Sequence, residues 1–581
     1  MVFTGASHAC SVVKWHQRGI ALLDPMNCGF RRWRPSRHRV LLRQVVALVL
    51  ASLCLLDQAF SADGETLPSF EELEAQGAVI GEVRVINGDI FDLNNPKEDS
   101  FFYRLANALH IRSRESVIRR ALLFKSGEPV STQRIEETQR LLQETQYLYG
   151  AQIRPIAYHD GVVDIEVVTR DTWTLDPGLG YSRKGGENEG KYGLKELNIL
   201  GTGAAIEWQR TDYESGTVDD FQFNNNQILG TRARFNYTYR TGDTQQAHST
   251  ILERPFYSLE TRWAAGIGGS TSDQLISTYD SNVLTEQYRR YVDRTSIYGG
   301  WSKGLVNNWT HRYFIGFDYV KDAYELEPGA PPPATLPTDE KYVSPFFRYQ
   351  VIQNNYVQTF NRNQVQRPEY FLLGWSSDIK LGYAATALGS TRPAWNYAAS
   401  IGNGWDMSRD RILTMALSAT GTYVGGDDQD QLLSGNVQYF APQSERSQTF
   451  VGLQVDGAND INTSNQLTLG GDNGLPGYPS RYQTGDRRVL LNLEQRFYSN
   501  WYPFRLFRIG GGLFFDVGRA WGGETTDDID RGWLANIGVG LRVFSVRSAF
   551  GTVWRLDLAF PVNAEGDIPS YQVVFYREER N

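Results

Sequence analysis

A chain of 581 residues with a net charge of −8 offers no basic face for nucleic acid, and its 56 glycines and 13% aromatic content suit strands better than helices. Its one strongly apolar, uncharged run, Val45 to Leu56, is too short to cross a bilayer as a helix, which excludes a helical membrane protein. Cys10, Cys28 and Cys54 are the three cysteines, and all lie near the N-terminus.

Residues 1–61 read as an export signal. Arg31, Arg32, Arg34, Arg37, Arg39 and Arg43 precede the apolar run, and Ala59 and Ser61 follow it as small residues fit for cleavage before Ala62. Residues before Met26 read as an overextended start. Leu53 before Cys54 does not fit a lipoprotein signal, so no lipid anchor is expected. The exported chain would then lack cysteine, and with it disulfides and thiolate metal sites.

After a short linker over 62–78, residues 79–171 read as a small α+β unit in the order strand, helix, helix, strand, strand. Val79, Val83 and Val85 open it, and Val117, Ile118, Ala121, Leu122 and Phe124 carry helical spacing. Gly127 and Pro129 break that helix, Ser131 is placed to cap the next, and Ile135, Leu141, Leu142 and Tyr147 form its stripe. A hairpin turns at His159, Asp160 and Gly161 into a strand where Val163, Ile165 and Val167 alternate with Asp164 and Glu166. The insert from Phe91 to His110 shows no clear period.

From residue 172 to 581 the helical signal stops and alternation takes over. Ala233, Phe235, Tyr237 and Tyr239 alternate with Arg232, Arg234, Asn236, Thr238 and Arg240; Tyr313, Ile315, Phe317 and Tyr319 alternate with Gly316 and Asp318; Leu413, Met415 and Leu417 alternate with Thr414 and Ser418. Twelve of the 14 tryptophans lie from Trp173 onward, as the aromatic girdles of a membrane barrel require. A soluble sandwich would rarely carry so many arginines and aspartates opposite such belts, so the pattern favours a transmembrane antiparallel β-barrel of about sixteen strands. Leu326 to Pro337, with Pro331, Pro332 and Pro333, reads as a long loop, and the acidic groups Asp427, Asp428, Asp430 and Asp527, Asp528, Asp530 as solvated turns.

The most informative stretch runs from Leu469 to Trp521. A glycine-rich loop (Leu469 to Tyr482) leads into LNLEQRF (Leu491 to Phe497) and FFDVGRAW (Phe514 to Trp521). Asn492, Glu494 and Arg496 share one face against Leu491, Leu493 and Phe497; Asp516, Gly518 and Ala520 oppose Phe515, Val517 and Trp521. With the loop tip Leu475, Pro476, Gly477 and Tyr478, and with GVGLR at Gly538 to Arg542, these segments resemble the BamA/TamA-like outer-membrane assembly superfamily, the bacterial surface antigen type of barrel. Residues 79–171 are similar to a single POTRA, the periplasmic module before such barrels, and Trp173 to Gly186 with Glu196 to Gly203 look like the family's first hairpin.

The resemblance implies a lumen loop held by lumen-facing wall residues (Glu494, Arg496, Asp516, Gly518 and Arg542), an outer-membrane location, and a weak seam between first and last strands. It also implies protein insertion or polypeptide translocation, with an unfolded β-barrel or secreted polypeptide as client, without cofactor or metal, by a monomer. Pro177, Gly178 and Gly180 would make the first strand a poor partner for Val573 and Phe575 of the last, although such glycines also permit a tight bend. A client strand could add to the open edge, and the POTRA-like sheet could capture it earlier in the same way. A disulfide between positions 179 and 573 would test the seam. At the loop tip Pro476 replaces the family's arginine, so Asp516 needs water, a proton or another cation, for which Arg481 and Arg487 are candidates. The last strand is expected to stop before a tail of Arg577 to Asn581.

Other function classes fare less well. Gly300 to Gly304 matches a Gly-x-Ser-x-Gly elbow but no helix is expected after Ser302, and His110, His159, His248 and His311 lack metal spacing. No enzyme is expected. A passive pore or a two-partner-secretion-type transporter remains the alternative, with a barrel-borne surface enzyme behind it.

Overall fold

The computed structural model describes residues 67–581, except 214–215, 281–282, 366, 409, 426, 460–466, 523–530, 563–567 and 580–581. The expected signal and the acidic group Asp527, Asp528 and Asp530 therefore lie outside the described residues.

The α+β unit contains α1 (Phe70–Ala75), β1 (Val79–Gly88), α2 (Phe101–Leu109), α3 (Glu115–Ala121), α4 (Thr132–Glu144), β2 (Leu148–His159) and β3 (Val162–Asp171). Two of these elements were not expected. Helix α1 falls in the supposed linker, where Ser69 and Glu72 form a reciprocal capping box and Leu73 is buried in the core. Helix α2 occupies the aperiodic insert. In the sheet β3 is central, parallel to β1 and antiparallel to β2, and Ile80, Ile118, Leu142, Leu148, Val163 and Ile165 fill the core beneath it. The β2–β3 turn has Asp160 at φ 51° and Gly161 at φ 78°, the two left-handed residues a tight hairpin needs. Ser131 sits at the N-cap of α4 without a side-chain cap bond; the Thr132 N–H donates instead to Glu74 Oε2 at 2.9 Å.

Both edges of this sheet are partly covered. The segment 127–130 covers β1, with the Gly127 N–H donating to the Ile80 carbonyl (2.8 Å) and the Ile80 N–H to the Glu128 carbonyl (2.9 Å). Along β2, the Ala151 and Ile153 N–H groups donate to the side-chain oxygens of Gln143 (3.0 Å) and Gln139 (3.1 Å), and Pro155 has no N–H to offer. This start of β2 is therefore occupied, which corrects the expectation of a freely available edge.

The remainder closes into an antiparallel barrel of twenty strands among the described residues, not about sixteen. The difference lies in the connections. At the rim away from the α+β unit, strands Glu187–Glu196, Gly216–Asn225, Gln245–Arg254 and Asp427–Ser444 each follow their predecessor after two intervening residues, so chain reserved for long loops is spent on strands instead. Asp427 to Asp430 accordingly begin a strand, whereas the Pro331 to Pro333 segment does lie in a long connection between Trp309–Leu326 and Glu340–Gln353. The last strand, Gln572–Glu579, also runs past Arg577. Ile315, Phe317, Met415, Leu417, Leu513 and Ile537 expose their side chains on the outer wall while their polar neighbours face inward, the alternation expected of a wall against lipid.

The α+β unit seats on one rim. The Arg114 N–H donates to the Gly201 carbonyl (2.9 Å), Arg120 Nε to Gln227 (2.9 Å), and Arg134 Nε to Glu260 (2.7 Å); Glu137 accepts from the Leu259 N–H (2.8 Å) and Glu98 from Arg547 (2.7 Å).

Candidate functional site: a doubly plugged lumen beside a weak seam

Twenty strands enclose more space than wall side chains can fill, so such a lumen must be wet or plugged. Here insertions enter it from both rims. From the far rim comes the glycine-rich loop, stemmed by the hairpin Leu467–Leu469 and Gln483–Gly485. Asn473 ties the stem together, donating to the Thr468 carbonyl (2.7 Å) and accepting from the Gly470 N–H (2.6 Å). The tip is a tight turn closed by the Tyr478 N–H to the Leu475 carbonyl at 2.9 Å, and Pro476 occupies the position whose fixed φ favours that turn. Leu475 and Tyr478 are both 0% exposed, packed against Leu469, Leu490, Ala520 and Leu534. The Tyr478 hydroxyl donates to the Ala535 carbonyl at 3.0 Å. Gly477 lies so close to the wall that a Cβ would stand 2.9 Å from that of Asn536.

Among the described residues, Asp516 holds this tip through amide groups and forms no ion pair. Its carboxylate accepts from Asn492 Nδ2 (2.7 Å) and Asn536 Nδ2 (2.9 Å); Asn536 Oδ1 in turn accepts from the Gly477 N–H (3.2 Å), and Asn492 donates weakly to the Gly474 carbonyl (3.4 Å). Two amides thus relay the carboxylate to the loop backbone. Neither Arg481 nor Arg487 replaces the missing arginine. The Arg481 N–H donates to Asp472, and the Arg487 side chain reaches Asp486 at 3.9 Å. The reason is geometric: Arg481 belongs to the ascending side of the loop and Arg487 to the exposed start of its strand, whereas Asp516 is buried. Gly518 serves differently again, since a Cβ there would approach Leu469 at 3.0 Å and push the stem off the wall.

Replacing Asp516 by alanine would strand the buried amide donor of Asn536 at about 1–3 kcal/mol and the half-buried one of Asn492 at less. We expect Asp516→Ala to make the loop cleavable by protease after Arg481 while the barrel stays closed. Unchanged cleavage would mean that Leu475 and Tyr478 suffice to hold the tip.

Glu494, Arg496 and Arg542 form a separate, charged cluster. Glu494 pairs with Arg496 (2.8 Å), Arg542 (3.2 Å) and Arg555 (3.7 Å), while Asp557 pairs with Arg542 and with Arg555 (3.5 Å). Arg555 also reaches Glu578 of the last strand at 3.6 Å. The cluster spans the strand Phe507–Trp521 because Gly512 presents no side chain beneath Glu494, and Gly540 leaves Arg542 and Asp557 the room to meet. Asn536, Arg555 and Asp557 were not among the expected site residues. Arg555 and Asp557 alternate visibly with Trp554 and Leu556, but nothing local marks them as partners of Glu494.

From the near rim a second insertion rises, the hairpin Tyr356–Phe360 and Pro368–Leu372, which the sequence did not betray. Arg362 at its tip donates to the Gln448 side chain (2.9 Å), its carbonyl accepts from Arg496 (2.8 Å), and Val365 packs on Phe544 and Val553. At its base Arg140 of α4 stacks 3.5 Å from the Tyr356 ring centre, which ties the hairpin to the α+β unit. A cavity of about 450 Å³ remains between the plugs, lined by Lys184, Asn363, Pro476, Glu494, Arg555 and Tyr576 among others.

The seam lies beside this cavity. The first strand is broken into Leu175–Asp176 and Gly180–Lys184, because Pro177 cannot donate and Gly178 turns at φ 61° against the backbone of Gly193. Across the seam Phe575↔Arg183 is the single register partner among the described residues, although on its other side the last strand pairs continuously from Thr552↔Glu579 to Ala559↔Gln572. Side chains make up for the missing ladder: Arg577 pairs with Asp176, and Lys184 stands 4.3 Å over the Tyr576 ring. The register differs from the expected one, since Phe575 lies opposite Arg183 and the positions 179 and 573 are not partners. The loop grips the same corner, with the Ser480 N–H donating to the Gly185 carbonyl at 3.0 Å. The Gly300 to Gly304 motif lies at the end of strand Val283–Val306, where the Ser302 hydroxyl accepts from the Gly304 N–H (2.9 Å).

No protein-family model matches this sequence, and no curated protein does. Among solved structures it is similar to BamA from Haemophilus ducreyi lacking POTRA domains 1–3, at 12% identity over 86% of this chain and 84% of that one, with a TM-score of 0.37. It is also similar to CdiB from Acinetobacter baumannii (11% identity, 86% and 74% covered, TM-score 0.43) and CdiB from Escherichia coli (12%, 86% and 76%, TM-score 0.45). Values this low leave the activity to be argued from the chain itself.

Proposed function

We propose that this chain is an outer-membrane insertase or translocase for polypeptides, which works by opening the seam between its first and last strands. The observation that carries this reading is the closure of a twenty-strand barrel through one register pair among the described residues. An unpaired strand edge is a template for another strand, so a client segment can add to Gly180–Lys184 or to Gln572–Glu579 and leave sideways into lipid. The two plugs argue against a passive pore, because both occupy the lumen and the near one is tied to the α+β unit.

In this reading the unit over 79–171 is a periplasmic POTRA-like module, which the order of β1, α3, α4, β2 and β3 and the parallel β1–β3 pairing support, with α2 as an additional helix after β1. Because Gln139, Gln143 and Pro155 occupy the start of β2, a captured client is confined to the remainder, Ile156–His159. The client is an unfolded β-barrel or a secreted polypeptide, and the chain acts as a monomer, without cofactor and without catalysis of covalent chemistry.

The test is reconstitution of the full chain in liposomes, followed by addition of a urea-unfolded β-barrel client. Faster appearance of SDS-resistant, protease-protected client than in empty liposomes is the expected result. Equal rates, together with steady ion conductance, would instead favour the pore.

A further inference from the structure

Helix α2 presents a face that the fold does not use. Placed on a helical wheel, Phe101, Leu105, Leu109 and Phe102 fall within an arc of roughly 100°. Their exposures are 71%, 43%, 67% and 76%, so the arc is bare. The opposite arc is the one that folds inward: Tyr103 stacks on Phe91 with ring centres 4.6 Å apart, and the Asn107 side chain donates to the Phe91 carbonyl (2.8 Å) and accepts from its N–H (3.1 Å). Arg104 is drawn aside to Asp99 at 2.7 Å. A surface helix of a water-soluble domain would turn the apolar arc in and the polar one out. Here the order is inverted.

What covers that face is decided by what it adjoins. Phe102, Tyr103 and Ala106 line a cavity of about 670 Å³ together with Leu175 and Pro177 of the broken first strand, and with Phe507 and Trp554. Phe507 and Trp554 belong to the outward-facing series of their strands, the series that carries exposed Leu513, Phe515, Leu556 and Phe560. On the adjoining turn Trp501 and Phe504 are likewise bare. The helix thus extends the apolar outer wall of the barrel sideways, at its near rim and beside the seam.

We propose that α2 is an interfacial amphipathic helix whose Phe101, Phe102, Leu105 and Leu109 lie among the acyl chains of the membrane leaflet nearest the α+β unit. The occupant is lipid. A helix of this kind seats its apolar face about 5–10 Å into the headgroup and acyl boundary, and aromatic side chains suit that depth. It fixes the α+β unit to the rim by a second means besides its hydrogen bonds, and it stands in the bilayer where the seam opens, wedging the lipid that a departing client must enter.

This rests on the reading that the barrel spans a bilayer, and the test separates the two. The full chain, with Cys10, Cys28 and Cys54 changed to serine, would carry a single cysteine by Phe102→Cys, by Leu513→Cys on the barrel wall, or by Glu82→Cys on β1. Each would be labelled with a small fluorophore and reconstituted in phosphatidylethanolamine–phosphatidylglycerol vesicles containing spin-labelled lipid. The inference expects quenching at 102 and 513 and none at 82, with a shallow spin label quenching position 102 more than a deep one. Quenching at 513 but not at 102 would overturn the inference and leave the barrel reading intact. Quenching at neither would overturn both.

Discussion

A disulfide between positions 183 and 575 is expected to abolish client insertion, and a reductant to restore it. Among the described residues these are the one pair in register across the seam, and residues directly opposite in an antiparallel pair have the Cα separation that a disulfide requires. In the background Cys10→Ser, Cys28→Ser and Cys54→Ser, the changes Arg183→Cys and Phe575→Cys would place one covalent bond where the ladder has one rung. The wall is otherwise undisturbed, because Arg577–Asp176 and Lys184 over Tyr576 persist. The measurement is the rate of client folding into liposomes with the disulfide formed, then reduced. If the oxidised protein inserts clients as fast as the reduced one, the seam is not the exit and the lumen must be reconsidered. A pair at 179 and 573 would not serve as control or test, being out of register.

The second large effect concerns Arg542. Its side chain is 4% exposed and sits between Glu494 and Asp557, at 9% and 2%. Changing Arg542→Met leaves the packing volume nearly intact but removes one of the two cations that both carboxylates share; Arg555 stays within reach of both at 3.7 and 3.5 Å, and Arg496 within reach of Glu494 at 2.8 Å. Breaking a buried ion pair from one side costs about 3–5 kcal/mol. Arg542→Met should therefore lower the temperature at which the barrel loses its SDS-resistant form. The double variant Arg542→Met with Asp557→Asn should recover part of that loss, since Glu494 then keeps Arg496 and Arg555, and Arg555 keeps Glu578. An unchanged melting temperature in the single variant would mean that water in the adjoining cavity solvates the carboxylates adequately.

What the sequence disclosed and what it hid follow from the range of the forces involved. Alternation in Tyr313–Tyr319 or Leu413–Leu417 is set residue by residue, apolar side chains outward and polar ones inward, so the outer wall was legible. The number of strands was not, because two-residue connections such as those after Tyr213, Gly242 and Val424 leave too little chain between hydrophobic runs to be seen as boundaries. The near plug was missed for a related reason. Tyr356–Phe360 is rich in β-forming residues as a wall strand is, and its pairing with Pro368–Leu372 instead of the barrel is a tertiary choice. At the loop tip the tight turn explains Pro476 in place of arginine, but Asn536, 59 residues from Gly477, carries no local mark of its part in holding that turn. Helix α2 escaped because Phe101, Phe102, Leu105 and Leu109 share one short outward-facing arc, so no core-facing stripe marks the insert as a helix.

The brevity of the connections at the far rim bears on how this protein meets the world outside a cell. Hairpins joined by two residues give an antibody, a phage fibre or a host protease almost nothing to grip, so in the proposed orientation that face is antigenically quiet over the first third of the barrel. The proline-bearing stretch between Leu326 and Glu340 is the conspicuous handle, and it is the place to insert an epitope tag for counting these molecules on living cells.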